Sequence, residues 1–263
     1  MKALATGLVA LAVLIFVPTP VAHADMAQRI AQANAYLADR PGTTGYVLRD
    51  RTTGLAHRNE SAGTMRWTAS TIKLAMAVDL LTRSNTGQVA LTAADNQLMA
   101  DMMHSSDSDA ADTLWERYSG PDNTAFNRNF PAYGLTDLQA QQGFSSTFPY
   151  WGFQKSTSDD LDRLINHTLT QLPPAQTAAI VAEMQQIDPN QQWGVWGAGT
   201  AMAPGNKNGW SQEQGGWVVN SVGFAGPQQR YTLAIMNSLN GEGGYDDGVE
   251  TTTRLARILL GSG

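Results

Sequence analysis

Ser70 and Lys73 stand three residues apart in the stretch Ser70, Thr71, Ile72, Lys73, and on a helix that spacing places two side chains on one face, a turn apart. A serine hydroxyl attacks a carbonyl well only when a base takes its proton. Lysine serves as that base when burial or a nearby cation deprotonates its ammonium. Ile72, Leu74, Ala75, Met76, Ala77 and Val78 make the segment apolar nearly all round, so the helix is expected to be buried and the Lys73 amine to be less basic than usual. Ser70 would open that helix, where unpaired amides and the helix dipole favour a developing oxyanion. These residues point to acyl transfer through a serine, with Lys73 as its neighbour and base.

The rest of the inventory narrows the choice. There is no cysteine in the 263 residues, which removes a disulfide framework, a thiolate nucleophile, a thiolate zinc site and lipid attachment through cysteine. Beyond residue 24 the histidines are His57, His104 and His167, far apart, and neither HExxH nor an acidic cluster at ligand spacing occurs, so no metal and no cofactor are expected. A GxSxG elbow is also missing, and with it the motif of the Ser-His-Asp α/β-hydrolases. A net charge of -6 with scattered Lys and Arg argues against a nucleic-acid partner. Lysine is used sparingly, as Lys73, Lys155 and Lys207 beyond residue 24 against 13 arginines, so each lysine carries information.

Two further clusters could meet the first. Ser106, Asp107 and Ser108 fall between a helix expected over Ala93–Met103 and another over Ala110–Tyr118, which puts Ser106 on a tight turn; the same residues are also ordinary N-caps. Lys207, Asn208, Gly209 and Trp210 open a strand region in which the glycine permits close backbone approach. The plain alternative there is a solvated lysine on an edge strand.

The elements that must position these groups follow from hydrophobic spacing. Lys2, the apolar run Ala3 to Val17, Pro18 and Pro20, and the small residues Ala22 and Ala24 around His23 read as an export signal over 1–24, leaving 25–263 as one domain of a secreted, extracytoplasmic protein without a stable membrane anchor. Ile30, Ala33 and Leu37 predict a helix that Pro41 and Gly42 stop. Thr44 to Asp50 and Leu55 to Glu60 predict a hairpin, although their alternation is poor. From Ser70 to Met184 apolar residues recur at three and four, giving a helical lobe over about 70–200. Trp217 to Ala225 and Arg230 to Leu239 predict strands, followed by a helix around Val249, Leu255, Ile258 and Leu259. With 42% hydrophobic and 15% charged residues the chain folds rather than staying disordered. The economical fold is α+β in two lobes: one antiparallel sheet built from both chain ends, flanked by the terminal helices, beside an all-helical lobe.

Taken in order, Ser70 with Lys73, Ser106 with Asp107, and Lys207 with Gly209 resemble the three motifs of penicillin-recognising serine enzymes, specifically class A β-lactamases, over nearly the whole chain beyond residue 24. The resemblance extends to Asp109, Ala110 and Ala111 after the second motif and to Ser156, Thr157 and Ser158 before a late helix. It is closer still to exported actinobacterial serine hydrolases related to class A, through Tyr150, Trp151 and Gly152 and through the KNGW element. It implies that Ser70 is acylated, that Lys73 is its base or proton relay, and that Ser106 passes a proton to the leaving nitrogen while Lys207 holds it. It also implies an oxyanion hole from the amides of Ser70 and Trp210, with Ser108, Asn208, Gly209 and Trp151 lining the substrate.

Departures from the class A pattern shape the expected activity. Ser108 stands where class A has asparagine, and Asn208 where a hydroxyl is usual. Nothing basic lies from Trp210 to Phe224, where class A enzymes often keep an arginine for the antibiotic carboxylate. The interval from Ser70 to Ser106 is short, which opens the cleft. Above all, Leu138 to Ser158 holds no acid to activate a deacylating water; Gln139, Gln141, Gln142 and Gln154 are no bases, leaving Asp137 or Lys73. The resemblance therefore implies a serine hydrolase that takes a β-lactam, cell-wall peptide or ester and releases the acyl group slowly, working as a monomer. The alternative is a non-catalytic exported protein that binds through Phe148, Tyr150, Trp151 and Trp210.

Overall fold

The computed structural model describes residues 20–261, with side chains from residue 25 onward. The expected export signal lies outside them except for its last five residues, whose backbone begins the first helix. That helix, α1 (Pro20–Ala38), is followed by β1 (Thr43–Asp50), β2 (Ala56–Arg58) and β3 (Arg66–Trp67). The helical lobe comprises α2 (Ile72–Asn85), α3 (Ala93–His104), α4 (Ser108–Tyr118), α5 (Ala125–Asn129), α6 (Ser158–Thr170) and α7 (Pro174–Gln185), with the short strands β4 (Gln139–Ala140) and β5 (Gln154–Ser156) before α6. The chain closes with β6 (Gly205–Glu213), β7 (Gly216–Ala225), β8 (Tyr231–Ser238) and α8 (Tyr245–Leu260). Among the described residues no helix is long and apolar enough to cross a membrane.

The main sheet is antiparallel in the order β2, β1, β8, β7, β6, so strands from both chain ends share it, as the sequence predicts. Alternate residues of β8 face opposite layers. Leu233 and Ile235 pack with Tyr46, Leu48, Leu255 and Leu259 under the terminal helices, whereas Ala234 and Met236 join the core of the helical lobe. Because both faces are covered, β1 is buried from Thr44 to Leu48 except at its ends, which explains its poor alternation in the sequence. Residues 189–202 form 3-10 turns rather than a further lobe helix. Their Val195 and Ala198 pack with Leu255 and Leu259 under α8, so the helical lobe ends with α7.

α2 is the centre of that lobe. Residues 72–80 are buried without interruption, as its all-round apolar sequence requires. A second, three-stranded sheet of β3, β5 and β4 joins the strand just ahead of α2 to two strands that follow it in the chain. Thr68 donates to the Gln154 carbonyl through both its amide and its hydroxyl, at 2.9 and 3.1 Å, tying the turn before Ser70 to β5.

Candidate active site

Ser70 lies in a 3-10 turn, Ala69–Thr71, that runs directly into α2. The residue before it, Ala69, has φ +45°, a left-handed conformation that costs a non-glycine residue about 1–3 kcal/mol and persists only where surroundings impose it. Two contacts impose it here. Asn220 of β7 donates to the carbonyls of Trp67 at 2.8 Å and Thr68 at 3.2 Å. Gly209 of β6 lies against the turn so closely that a Cβ there would stand 2.7 Å from the Ser70 amide nitrogen and 2.6 Å from that of Thr71. The glycine is needed for backbone to meet backbone, and it brings the next residue, Trp210, along the same edge.

Lys73 is fully buried. Its ammonium donates to the Ser106 carbonyl at 2.7 Å, the Asp107 carbonyl at 3.3 Å, Ser108 Oγ at 3.3 Å and Ser106 Oγ at 3.4 Å. Helical spacing predicts Ser70 as its neighbour, but no hydrogen bond joins the two side chains. The reason is Ser106, whose φ of +63° turns its carbonyl into the lysine's reach. Burial lowers the Lys73 amine to about 8, against the opposing charges of Asp107 and Asp112. Asp107 also accepts from the Ala110 amide at 2.7 Å, so it is the N-cap of α4 as well as part of the motif.

Lys207 is buried on β6 rather than solvated. It donates to Ser106 Oγ at 2.8 Å and to the Asn208 carbonyl at 2.9 Å. Burial, and then the charge of Lys73, hold its amine well below the usual lysine range. One hydroxyl therefore stands between two buried amines. The structure thus brings Lys73, Ser106, Ser108 and Lys207 together, with Gly209 against the Ser70 turn.

Two residues expected to line the substrate have other partners. Asn208 is buried, and its amide donates to the Gln191 carbonyl at 2.7 Å, anchoring the 3-10 segment. Trp151 is only 6% exposed, and its ring covers the Lys73 ammonium at 4.4 Å from the centroid. Trp210 packs edge-on against Trp193 and tilted against Tyr245, with centroids 5.9 Å apart in each case. Asp137 forms a surface ion pair with Arg163 at 3.2 Å. Sequence reasoning missed Asp112 and Asn220. Asp112 follows Ser108 by four residues, a same-face spacing that could have found it; the role of Asn220 depends on strand register and left no local signal. Among the described residues no three His, Asp or Glu side chains form a group that could hold a metal ion.

The fold has close structural parallels. A β-lactamase from Xanthomonas campestris superposes with a TM-score of 0.73 at 18% identity, covering 90% of this chain and 97% of that one. The fold is β-lactamase-like. A β-lactamase from Streptosporangium roseum gives 0.72 at 17% identity over 89% and 97% of the two chains, and an ancestral Gram-negative class A β-lactamase gives 0.70 at 15% over 89% and 98%. At the sequence level, the chain is 29% identical over 229 residues to proteins of Mycobacterium tuberculosis and Mycobacterium bovis named as the lipoprotein LppW, spanning 82% of this chain and 69% of theirs. No protein-family model matches. On this class A-like scaffold the three clusters singled out in the sequence fall on one helix start, one inter-helix turn and one edge strand.

Proposed function

We propose that the protein is an extracytoplasmic active-site-serine hydrolase, acylated at Ser70 by an amide or ester donor such as a β-lactam or a cell-wall-like peptide, and slow to release the acyl group. The observation that carries this reading is the Ser106 hydroxyl held between the Lys73 and Lys207 amines. Ser70 Oγ attacks the carbonyl while its proton passes to neutral Lys73. The amides of Ser70 and Trp210 receive the oxyanion, each such donor contributing about 3 kcal/mol. The proton then moves through Ser106 to the leaving nitrogen, so the carbon–nitrogen bond breaks as an amine departs and an ester remains on Ser70. Lys207 holds Ser106 in place.

Water must cleave that ester, and no carboxylate of the 138–158 stretch is there to activate it. Slow release follows. The lipoprotein name of the mycobacterial relatives supports a place in the cell envelope, although this chain has no cysteine to receive a lipid. A second reading, a non-catalytic binding protein on the same scaffold, draws on the Trp151 ring covering Lys73. Intact mass after incubation with a β-lactam or a fluorophosphonate decides between them. The enzyme reading expects an adduct on the wild-type protein and none on Ser70→Ala; no adduct on either folded protein favours the binding reading.

A further inference from the structure

Asp112 lies on α4, one turn beyond Ser108, and has no part in the reaction proposed above. Its Oδ1 accepts from Tyr150 Oη and from Trp151 Nε1, both at 2.6 Å. The backbone of the same loop is fixed separately. Trp115 Nε1 donates to the Pro149 carbonyl at 3.1 Å, and Gln154 Nε2 donates to the Tyr150 carbonyl at 2.9 Å. A Cβ at Gly152 would stand 2.6 Å from the Tyr150 ring. These contacts set where the loop runs, whereas Asp112 sets how the indole is turned.

The indole is turned onto Lys73. Carbonyls and hydroxyls of Ser106, Asp107 and Ser108 occupy the ammonium's hydrogen-bonding directions, and the apolar face of Trp151 covers another side at 4.4 Å. The ring has a single polar atom, Nε1, and Asp112 holds it. The charged groups acting around Lys73 are Asp107 and Asp112 from α4 and Lys207 from β6. We propose that Asp112 is a positioning residue for Lys73: by holding Tyr150 and Trp151 on one oxygen, it keeps the indole face against the amine and keeps water away from it. Resting on the acylation reading, this gives the slow release a physical cause, since the one base beside the ester cannot reach a water molecule.

Three variants test it. Trp151→Leu removes the ring, Asp112→Ala removes the acceptor that turns it, and Asp112→Asn keeps an acceptor without the charge. Two readouts apply to each full-length protein: the lifetime of the nitrocefin-derived adduct, and the rate at which trinitrobenzenesulfonate modifies Lys73, followed peptide by peptide. Asp112→Ala and Trp151→Leu are each expected to shorten the adduct lifetime and to speed Lys73 labelling several-fold. The double variant should go no further than either alone, and Asp112→Asn, which loses the charge but keeps the acceptor for the indole, should fall well short of Asp112→Ala. Wild-type labelling of Lys73 in folded Asp112→Ala overturns the proposal. If nitrocefin leaves no adduct on the wild-type protein, the acylation reading falls while the labelling rates still decide the role of Asp112.

Discussion

The Lys207 ammonium lies 2.8 Å from the Ser106 hydroxyl, and the same oxygen is 3.4 Å from Lys73. Each amine is buried without a carboxylate in direct contact, so Ser106 is the polar bridge between them. Ser106→Ala is expected to slow adduct formation by about a hundredfold to ten-thousandfold, the usual contribution of a positioned proton carrier. The rate of mass increase with a β-lactam measures it, with circular dichroism as the check that the fold is kept. An unchanged rate would remove Ser106 from the reaction.

Burial lowers the Lys73 amine to about 8 from 10.5, so the folded chain gives up this proton at a pH where the unfolded chain still holds it. Stability should therefore climb as pH rises from about 8 towards 10, by up to about 1.4 kcal/mol per pH unit. Lys207, also lowered, acts in the same direction. Below this window both states are protonated and the contribution of Lys73 is constant. Above 10 the slope reverses, because burial raises the Tyr46 phenol to about 12 and the unfolded phenol ionises first. Urea midpoints across the alkaline range test the sign, and adduct formation should rise with an inflection near 8.

Gly209→Ala would push a methyl group against the Ser70 and Thr71 amides and the Thr68 carbonyl, all backbone atoms that cannot rotate away. The expected cost is about 2 kcal/mol of stability, with a larger loss in the acylation rate because the oxyanion amides move apart. Thermal unfolding and adduct kinetics on one sample separate the two effects. A substitution that leaves both unchanged would show that β6 does not press on the turn.

Asn220 donates to Trp67 and Thr68 and accepts from the Asn237 amide at 3.0 Å. Asn220→Leu keeps the branched shape but takes the donor from the Trp67 carbonyl and the acceptor from the Asn237 amide, at a cost of about 2 kcal/mol. Acylation should fall as well, since Ala69 loses one of the contacts that hold its left-handed conformation. Denaturant midpoints and adduct rates check both expectations.

How far the sequence could be read depended on the kind of contact. The buried α2, the turn at Ser106 and the sheet from both chain ends were legible because each rests on local periodicity or on the need to cover apolar faces. The direction of side chains across elements was not. Lys73 reaches the 106–108 turn because of the backbone twist at Ser106, and Asn208 serves the Gln191 loop because of its strand face. The β3, β5 and β4 sheet was hidden in two- and three-residue strands too short to alternate. Trp151 was read as a substrate contact, when its indole N–H already has a carboxylate.

β1 is paired with β2 on one side and with β8 on the other, its Thr43 opposite Ser238. The strand that completes its pairing thus lies beyond the whole helical lobe in the chain. The helices α2 and α4 can coil from local sequence, but no sheet brings Lys207 to Ser106 until β8 has joined β1 to β7, and such distant pairing is slow to form. The reactive cluster therefore assembles in one late step, and a chain cut short before β8 carries the serine without the machinery to use it.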